Sequence, residues 1–348
     1  MVLYLTGHCQ SHCFYCPVSR ERMYVDRVFA NEREVPPGDV TGVLEEARAM
    51  NAKGVGITGG DPMTQPDRVA AYCSALKAEF GRDFHIHLYT QNVFDPAWLA
   101  RLKEAGLDEI RFHPPMGWWD KMATSPWNVL VPEARKAGLR VGLEVPGIPG
   151  KEEALVAFVQ WADAVGAEFV NFNELEFSEA NMDALAARGL EFLNDSSNVV
   201  RGSRETARLV VERSLKARLK TTTVHFCAST YKDSVQLRKR LQRRAKNTER
   251  PLDGRTPDGT ILFGVVEAPL AELDALHRRL VGELGVPRDL VVINHDEERL
   301  EVAPWILEEA HVRLGLEGRC FVVEVHPTAT RLEVERTPLP YPEGAWDA

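Results

Sequence analysis

Long apolar runs are missing from this sequence. No stretch reaches the roughly 18 unbroken apolar residues of a membrane-spanning helix, so no membrane association is expected. Met1 to Thr6 is apolar but only strand-length, with no basic leader and no small-residue cleavage site. No secretory signal is read there, and a cytoplasmic location is expected. Cysteine is scarce: six in 348 residues are too few for a disulfide scaffold. An excess of positive charge is missing as well. The net charge of −9 argues against a broadly basic nucleic-acid binder. Repeats of fixed period and low-complexity tracts are also absent. What remains is the balance of a folded globular protein, with 44% hydrophobic and 27% charged residues. The length suits one large domain and one small one.

Short β-rich runs alternate with helical patterns through the first 230 or so residues. Strands are expected at Val2–Thr6, Val55–Thr58, His85–Tyr89, Glu109–His113, Arg140–Val145 and Phe169–Asn173, with a last one near Thr221–Phe226. Helical spacing marks Val40–Asn51, Arg68–Phe80, Pro96–Ala105 and Lys151–Val165. Each is closed by a glycine, the residue that accepts a left-handed backbone without side-chain cost. Strand and helix in alternation signify right-handed crossovers and a parallel sheet. The expected fold is α/β: a partial (β/α)6-type, TIM-like barrel over residues 1–235. Its chemistry should lie just after the strands, at their C-terminal ends.

Arg238, Lys239, Arg240, Arg243, Arg244, Lys246, Arg250 and Arg255 crowd one segment that ends in Pro251, Asp253 and Gly254. Residues 236–256 read as a basic helix and linker. Residues 257–348 then follow a strand–helix–strand–strand–helix–strand order, with a tight His295–Glu298 connection. That order suggests a small α+β accessory domain of ferredoxin-like layout.

Three of the cysteines cluster in Gly7-His8-Cys9-Gln10-Ser11-His12-Cys13-Phe14-Tyr15-Cys16. Soft thiolates select iron–sulfur clusters or zinc over harder metals. Three ligands on one loop leave the fourth iron of a cubane open, whereas an electron-transfer ferredoxin supplies four. Zinc would need a fourth donor, for which His8 or His12 is available. The C-x3-C-x2-C spacing, with the aromatic Tyr15 directly before Cys16, resembles the radical S-adenosylmethionine (SAM) superfamily. Within it, the compact loop resembles the branch of the pyruvate formate-lyase-activating enzyme.

The resemblance implies an enzyme with a [4Fe–4S] cluster on Cys9, Cys13 and Cys16 whose open iron chelates SAM. Reductive cleavage would give methionine and a 5′-deoxyadenosyl radical that abstracts hydrogen from a substrate. It also implies a reductant protein of flavodoxin or ferredoxin type. A second element, Thr58-Gly59-Gly60-Asp61-Pro62, is similar to the family's G-G-E-P turn with aspartate in place of glutamate. In the family this turn holds the methionyl amine of SAM through its backbone and acidic side chain. Paired glycines admit close backbone approach, and proline fixes the chain that follows. Tyr15 is a cofactor-binding candidate as well; on later strand ends, Gln91 and Glu144 are candidates for the ribose hydroxyls, and Arg111 for the SAM carboxylate through its fork of donors. Asn171, Asn173 and Glu174 form a candidate substrate-facing set. Cys227 is a candidate hydrogen donor, substrate tether or extra ligand, with burial as a small core residue the commoner alternative. Cys73 and Cys320 are expected to be packing residues.

The substrate class stays open among a small molecule, a protein and an RNA. The basic segment favours an RNA-modifying enzyme only if its cations converge on one place. A non-catalytic metal-binding or electron-transfer protein is the competing class, and it has no need of the glycine turn or the barrel rhythm.

Overall fold

The computed structural model describes residues 1–316 and 318–340. Seven parallel strands, β1 (Val2–Tyr4), β2 (Gly54–Thr58), β3 (His85–Thr90), β4 (Glu109–Phe112), β5 (Arg140–Pro146), β6 (Phe169–Asn173) and β7 (Thr223–Cys227), lie side by side in chain order. Six helices join them in turn: α1 (Val40–Ala49), α2 (Pro66–Phe80), α3 (Ala97–Glu104), α4 (Trp127–Lys136), α5 (Glu152–Ala164) and α6 (Ser203–Lys216). An antiparallel hairpin, Val28–Ala30 with Arg33–Val35, extends the β1 edge. β1 therefore pairs with the hairpin instead of meeting β7, and the sheet is a partial barrel.

Local sequence explains these elements. In β3, Ile86, Leu88 and Thr90 are buried, while His85, His87 and Tyr89 alternate onto the other face. In α5, Leu155, Phe158, Val159 and Ala162 form one buried stripe at helical spacing. Glu152 and Glu153 sit in its first turn, where the helix dipole favours negative charge. Across the sheet, glycines make room for large side chains. A Cβ on Gly56 would come within 2.6 Å of His87 Nε2, and one on Gly142 within 2.1 Å of the Phe169 ring.

Two of the longer helices, α4 and α6, the short helix Met182–Ala186 and two hairpins are among the elements that go beyond those expected from periodicity. The pattern of α4 is interrupted by Pro132. The buried face of α6 is Ser203, Thr206, Ala207, Val210 and Ser214, too small and polar to give a clear apolar stripe. The hairpin strands, at 28–35 and 192–200, are only three or four residues long. β1 ends at Tyr4 rather than Thr6, because Gly7 turns away to bond its N–H to the Val25 carbonyl at 2.8 Å.

The chain divides into two compact units: residues 1–48 with 52–235, and residues 49–51 with 236–348. The second contains α7 (Arg238–Thr248), β8 (Ile261–Glu267), α8 (Leu270–Arg278), β9 (Val291–Asn294), β10 (Arg299–Val302), α9 (Pro304–Leu314), β11 (Cys320–Val325) and β12 (Glu333–Pro338). Its strands are antiparallel in the order β9-β10-β8-β11-β12. The first four give the ferredoxin-like arrangement, and β12 adds an edge. Leu273, Leu276, Leu307, Ala310 and Leu314 from α8 and α9 share one apolar cluster with Val266, Leu300 and Val322 of the sheet. Ala245 of α7 belongs to another, with Ile261, Phe263, Val265 and Val323.

One carboxylate near the end of α5 sets where β7 begins. Asp163 accepts N–H donors from Lys220, Thr221 and Thr222 at 2.9, 2.8 and 3.0 Å. Burial opposes its ionisation, but the donors prevail and bring its pKa down to about 2 from 3.8. Asp163→Ala is expected to lose about 1 kcal/mol, read from urea unfolding, the modest value reflecting a partly exposed carboxylate. A depressed folded pKa means that this contribution is complete above pH 3.8 and fades as pH falls toward 2. The Ala variant should show a correspondingly flatter stability profile in that window.

Candidate active site

The chain after β1 forms a loop pinned at its neck. Gly7 N–H donates to the Val25 carbonyl, and Tyr24 N–H donates to the Gly7 carbonyl, each at 2.8 Å. Cys9, Cys13 and Cys16 sit on this loop as half-buried free thiols. Ser11 N–H donates to Cys9 Sγ at 3.4 Å, and Gln91 Nε2 donates to Cys13 Sγ at 3.2 Å. Burial pushes the Cys9 and Cys16 thiols up, and repulsion from the neighbouring thiolates adds to it. A cavity of about 250 Å³ opens beside Cys9, lined also by His8, Gln10, Tyr24, Thr64 and Gln65.

The glycine turn after β2 is built against this loop. Gly60 N–H donates to the Thr6 carbonyl at 2.8 Å, and Asp61 N–H to the His8 carbonyl at 2.7 Å. A Cβ on Gly59 would meet the Thr6 oxygen at 2.4 Å. One on Gly60 would meet the carbonyl oxygens of Gly7 and His8, both at 2.5 Å. The glycine pair is thus required by the approach of the cysteine loop's own backbone.

The Asp61 side chain turns the other way and is 1% exposed. Its Oδ1 accepts Met63 N–H at 2.9 Å and the Thr90 hydroxyl at 2.8 Å. Its Oδ2 accepts Gln91 N–H at 2.7 Å and Asn92 N–H at 2.9 Å. Burial pushes the Asp61 pKa up while these donors pull against it. All four bonds run to the protein, so in this structure the carboxylate braces the turn against the end of β3. Pro62 opens the short 3-10 turn that leads into α2. Thr58 gives its carbonyl to Leu5 N–H at 2.8 Å.

Further round the rim, Tyr15 OH meets His113 Nε2 at 2.9 Å. Burial lowers the His113 pKa, favouring the neutral ring. Buried Asn181 donates to the Tyr15 carbonyl at 3.1 Å. Arg111 Nε donates to Glu109 at 2.6 Å, and its Nη1 to Tyr89 OH at 2.7 Å and Glu144 at 3.2 Å. Asn173 Nδ2 donates to the other Glu144 oxygen at 2.7 Å. Arg111 and Glu144 are therefore partners of one another, in a polar line across β3 to β6.

Cys227 closes β7 in register with Asn173, half-buried, its thiol pushed up by burial. Glu174 does not face outward: it is buried, pairs with Arg204 at 2.8 Å and accepts Ser229 N–H at 2.8 Å, tying β6 to the chain after β7. Cys73 and Cys320 are fully buried, in keeping with a packing role.

The structure therefore brings Gln91 to the cysteine loop, Asp61 to Gln91, and Arg111 to Glu144. It leaves Cys227 with Asn173 on the far strands. Sequence reasoning passed over Asn181 and Arg204. Asn181 reaches a residue 166 positions away, and no local signal announces such a contact.

A (β/α) partial barrel with polar and thiol groups gathered at one rim defines the class of protein. Comparison with known proteins gives the family. The profile of the Radical SAM superfamily matches residues 3–117. A domain of unknown function (DUF8061) matches residues 259–339. A Methanocaldococcus jannaschii protein, provisionally named a glycyl-radical enzyme activating enzyme, is 36% identical over 353 residues, covering 97% of this chain and 89% of its own. The GTP 3′,8-cyclase of Lactiplantibacillus plantarum is 29% identical over 108 residues, 31% of each chain. Among solved structures, Streptococcus suis SuiB bound to precursor peptide SuiA aligns with a TM-score of 0.47 and 12% identity, over 75% of this chain and 58% of that one. Methylornithine synthase aligns with a TM-score of 0.41 and 14% identity, over 65% and 70%. This chain belongs to the radical SAM superfamily and is an enzyme of that class.

Two substitutions test the turn. Gly60→Ala must push the backbone carbonyls of Gly7 and His8 aside, and is expected to lower stability by about 1–3 kcal/mol in thermal or urea unfolding. Asp61→Asn keeps the size but turns an amide donor toward backbone donors. A loss of about 2 kcal/mol is expected by the same assay. An Asp61→Asn protein as stable as the parent would contradict the brace.

Proposed function

We propose that the chain is a SAM-dependent radical enzyme in which Cys9, Cys13 and Cys16 hold a [4Fe–4S] cluster. The observation that carries this reading is the three-thiol loop fastened backbone-to-backbone onto the Gly59–Pro62 turn. The donor set fits the group: three soft, half-buried thiols on one loop, none in a disulfide, with burial pushing those of Cys9 and Cys16 up. Once reduced and with SAM bound, such a cluster would supply the electron that breaks the S–C5′ bond, releasing methionine and a 5′-deoxyadenosyl radical able to take hydrogen from a substrate.

The remaining assignments concern what the chain's own residues do. Thr58, Gly59, Gly60 and Pro62 present backbone to the methionyl end of SAM. Asp61 acts as a positioning residue for that turn, rather than as a direct ligand. Gln91 donates to the Cys13 sulfur, and a hydrogen bond to a ligating thiolate lowers its charge density. Tyr15, held by His113 and Asn181, keeps the loop over the barrel mouth. Arg111 offers its guanidinium to the SAM carboxylate, in exchange for part of its bonding to Glu144. Glu144 and Asn173 then face the ribose or substrate, with Cys227 beyond them at β7. The name of the archaeal relative suggests a glycyl residue in a partner protein as hydrogen donor, and we carry that substrate class to this chain. A flavodoxin- or ferredoxin-type reductant in the cytoplasm completes the assignment.

Anaerobic reconstitution with iron and sulfide tests it. The parent protein should take up about four irons per chain and, once reduced with SAM present, release 5′-deoxyadenosine and methionine. Cys13→Ala should lose most of the iron and all product above background. A colourless, zinc-loaded parent protein giving no 5′-deoxyadenosine would overturn the assignment in favour of a structural metal protein.

A further inference from the structure

α7 is basic all round in sequence, reading Arg238-Lys239-Arg240-Leu241-Gln242-Arg243-Arg244-Ala245-Lys246. The structure sorts these cations. Arg244 is buried and donates to the Pro327 carbonyl. Arg238 donates to the Pro257 carbonyl at 3.1 Å and pairs with Asp258 at 3.3 Å. Lys239, Arg243 and Lys246 are spaced i, i+4 and i+7 and so share one helix face. All three are exposed, and none has an acidic partner among the described residues.

These three converge with Arg255, from the strand beside β8, on a cavity of about 690 Å³. Arg255 itself pairs with Glu249. Gln242, Thr256 and Pro257 complete much of the wall, and among the described residues no carboxylate or aromatic ring lines it. The volume lies within the range of small-ligand sites. Like charges one helical turn apart repel, yet Lys239, Arg243 and Lys246 are held together on one face in a chain whose net charge is −9.

We propose that this cavity binds a compact anion bearing two or more phosphate groups, with Lys239, Arg243, Lys246 and Arg255 as its cations. Ammonium and guanidinium groups around a concave wall suit clustered phosphate oxygens, which each cation contacts through charge-assisted hydrogen bonds. A nucleic-acid strand is disfavoured. Such a strand needs cations spread along its path and aromatic rings for the bases. Here the charges face one hollow, and no ring lines it among the described residues. The free polyphosphate and the triphosphate tail of a nucleotide share this chemistry. The site rests on none of the assignments made for the barrel.

The test uses the full chain in calorimetric titrations with inorganic tripolyphosphate, ATP and a single-stranded RNA. Saturable one-to-one binding of tripolyphosphate is expected, weakening as salt rises. ATP binding as tightly would assign the site to nucleotides, and tripolyphosphate alone would assign it to free polyphosphate; either supports the proposal. The double variant Arg243→Gln with Lys246→Gln should weaken binding about tenfold or more, while Arg243→Lys keeps most of it. Removing equal charge from the other unit, by Arg208→Gln with Lys216→Gln, should leave the affinity unchanged. Circular dichroism melting without ligand checks that each variant is folded. The proposal is overturned by no saturable binding, by equal losses in both double variants, or by RNA binding that tripolyphosphate does not displace.

Discussion

The buried carboxylate of Asp61 is the constraint on which the rest of the rim depends. Three of its four bonds fix the turn after β2 to Thr90–Asn92 at the end of β3, and the fourth, from Met63 N–H, closes the turn itself. The backbone of that same turn is fastened to Thr6 and His8 on the other side. Three successive strand ends are thereby locked together around one ion. Gln91, whose N–H is one of the four donors, is delivered to the Cys13 sulfur at 3.2 Å as a result. Aspartate is the right length for this work: it caps the turn locally through Met63 and still spans to the neighbouring strand. The carboxylate is satisfied throughout, which is what makes its burial tolerable.

Below that rim, the lumen is filled by size-matching across strands rather than by a greasy plug. Gly56 faces His87 and Gly142 faces Phe169, so neighbouring strands present a gap and a filler. Arg111 rises from this layer, its guanidinium 5.2 Å from the rings of both Tyr89 and Phe169. Paired with Glu109 beneath and Glu144 above, it carries a polar line up to Asn173, while Arg140 at 3.4 Å gives Glu109 a second cation. Glu144 and Asn173 are thus held from below by Arg111 and, through it, by Glu109.

Much of the fold was legible in the sequence, because its signals were local. Alternation in His85–Thr90 and the apolar stripe of Lys151–Val165 fall within single elements, and the strand at Phe169–Asn173 has the bounds that its pattern suggests. The layout of the second unit followed from its strand–helix–strand–strand–helix–strand order. What was not legible depends on side-chain direction over long separations. Asp61 sits in a motif whose acidic member suggests a ligand contact, and only tertiary structure shows it facing inward. Glu174 reads as a rim residue, yet Arg204 and Ser229 enclose it. The basic run of α7 looks evenly solvated in one dimension; burial of Arg244 and the pairing of Arg238 are what leave one charged face.

The central claim is that three thiols on one loop leave a fourth metal corner free for SAM. Electron paramagnetic resonance of the anaerobically reconstituted, dithionite-reduced protein addresses it most directly. The account predicts a reduced-cluster signal whose line shape changes when SAM is added. A signal indifferent to SAM, or no iron–sulfur signal at all, would contradict it.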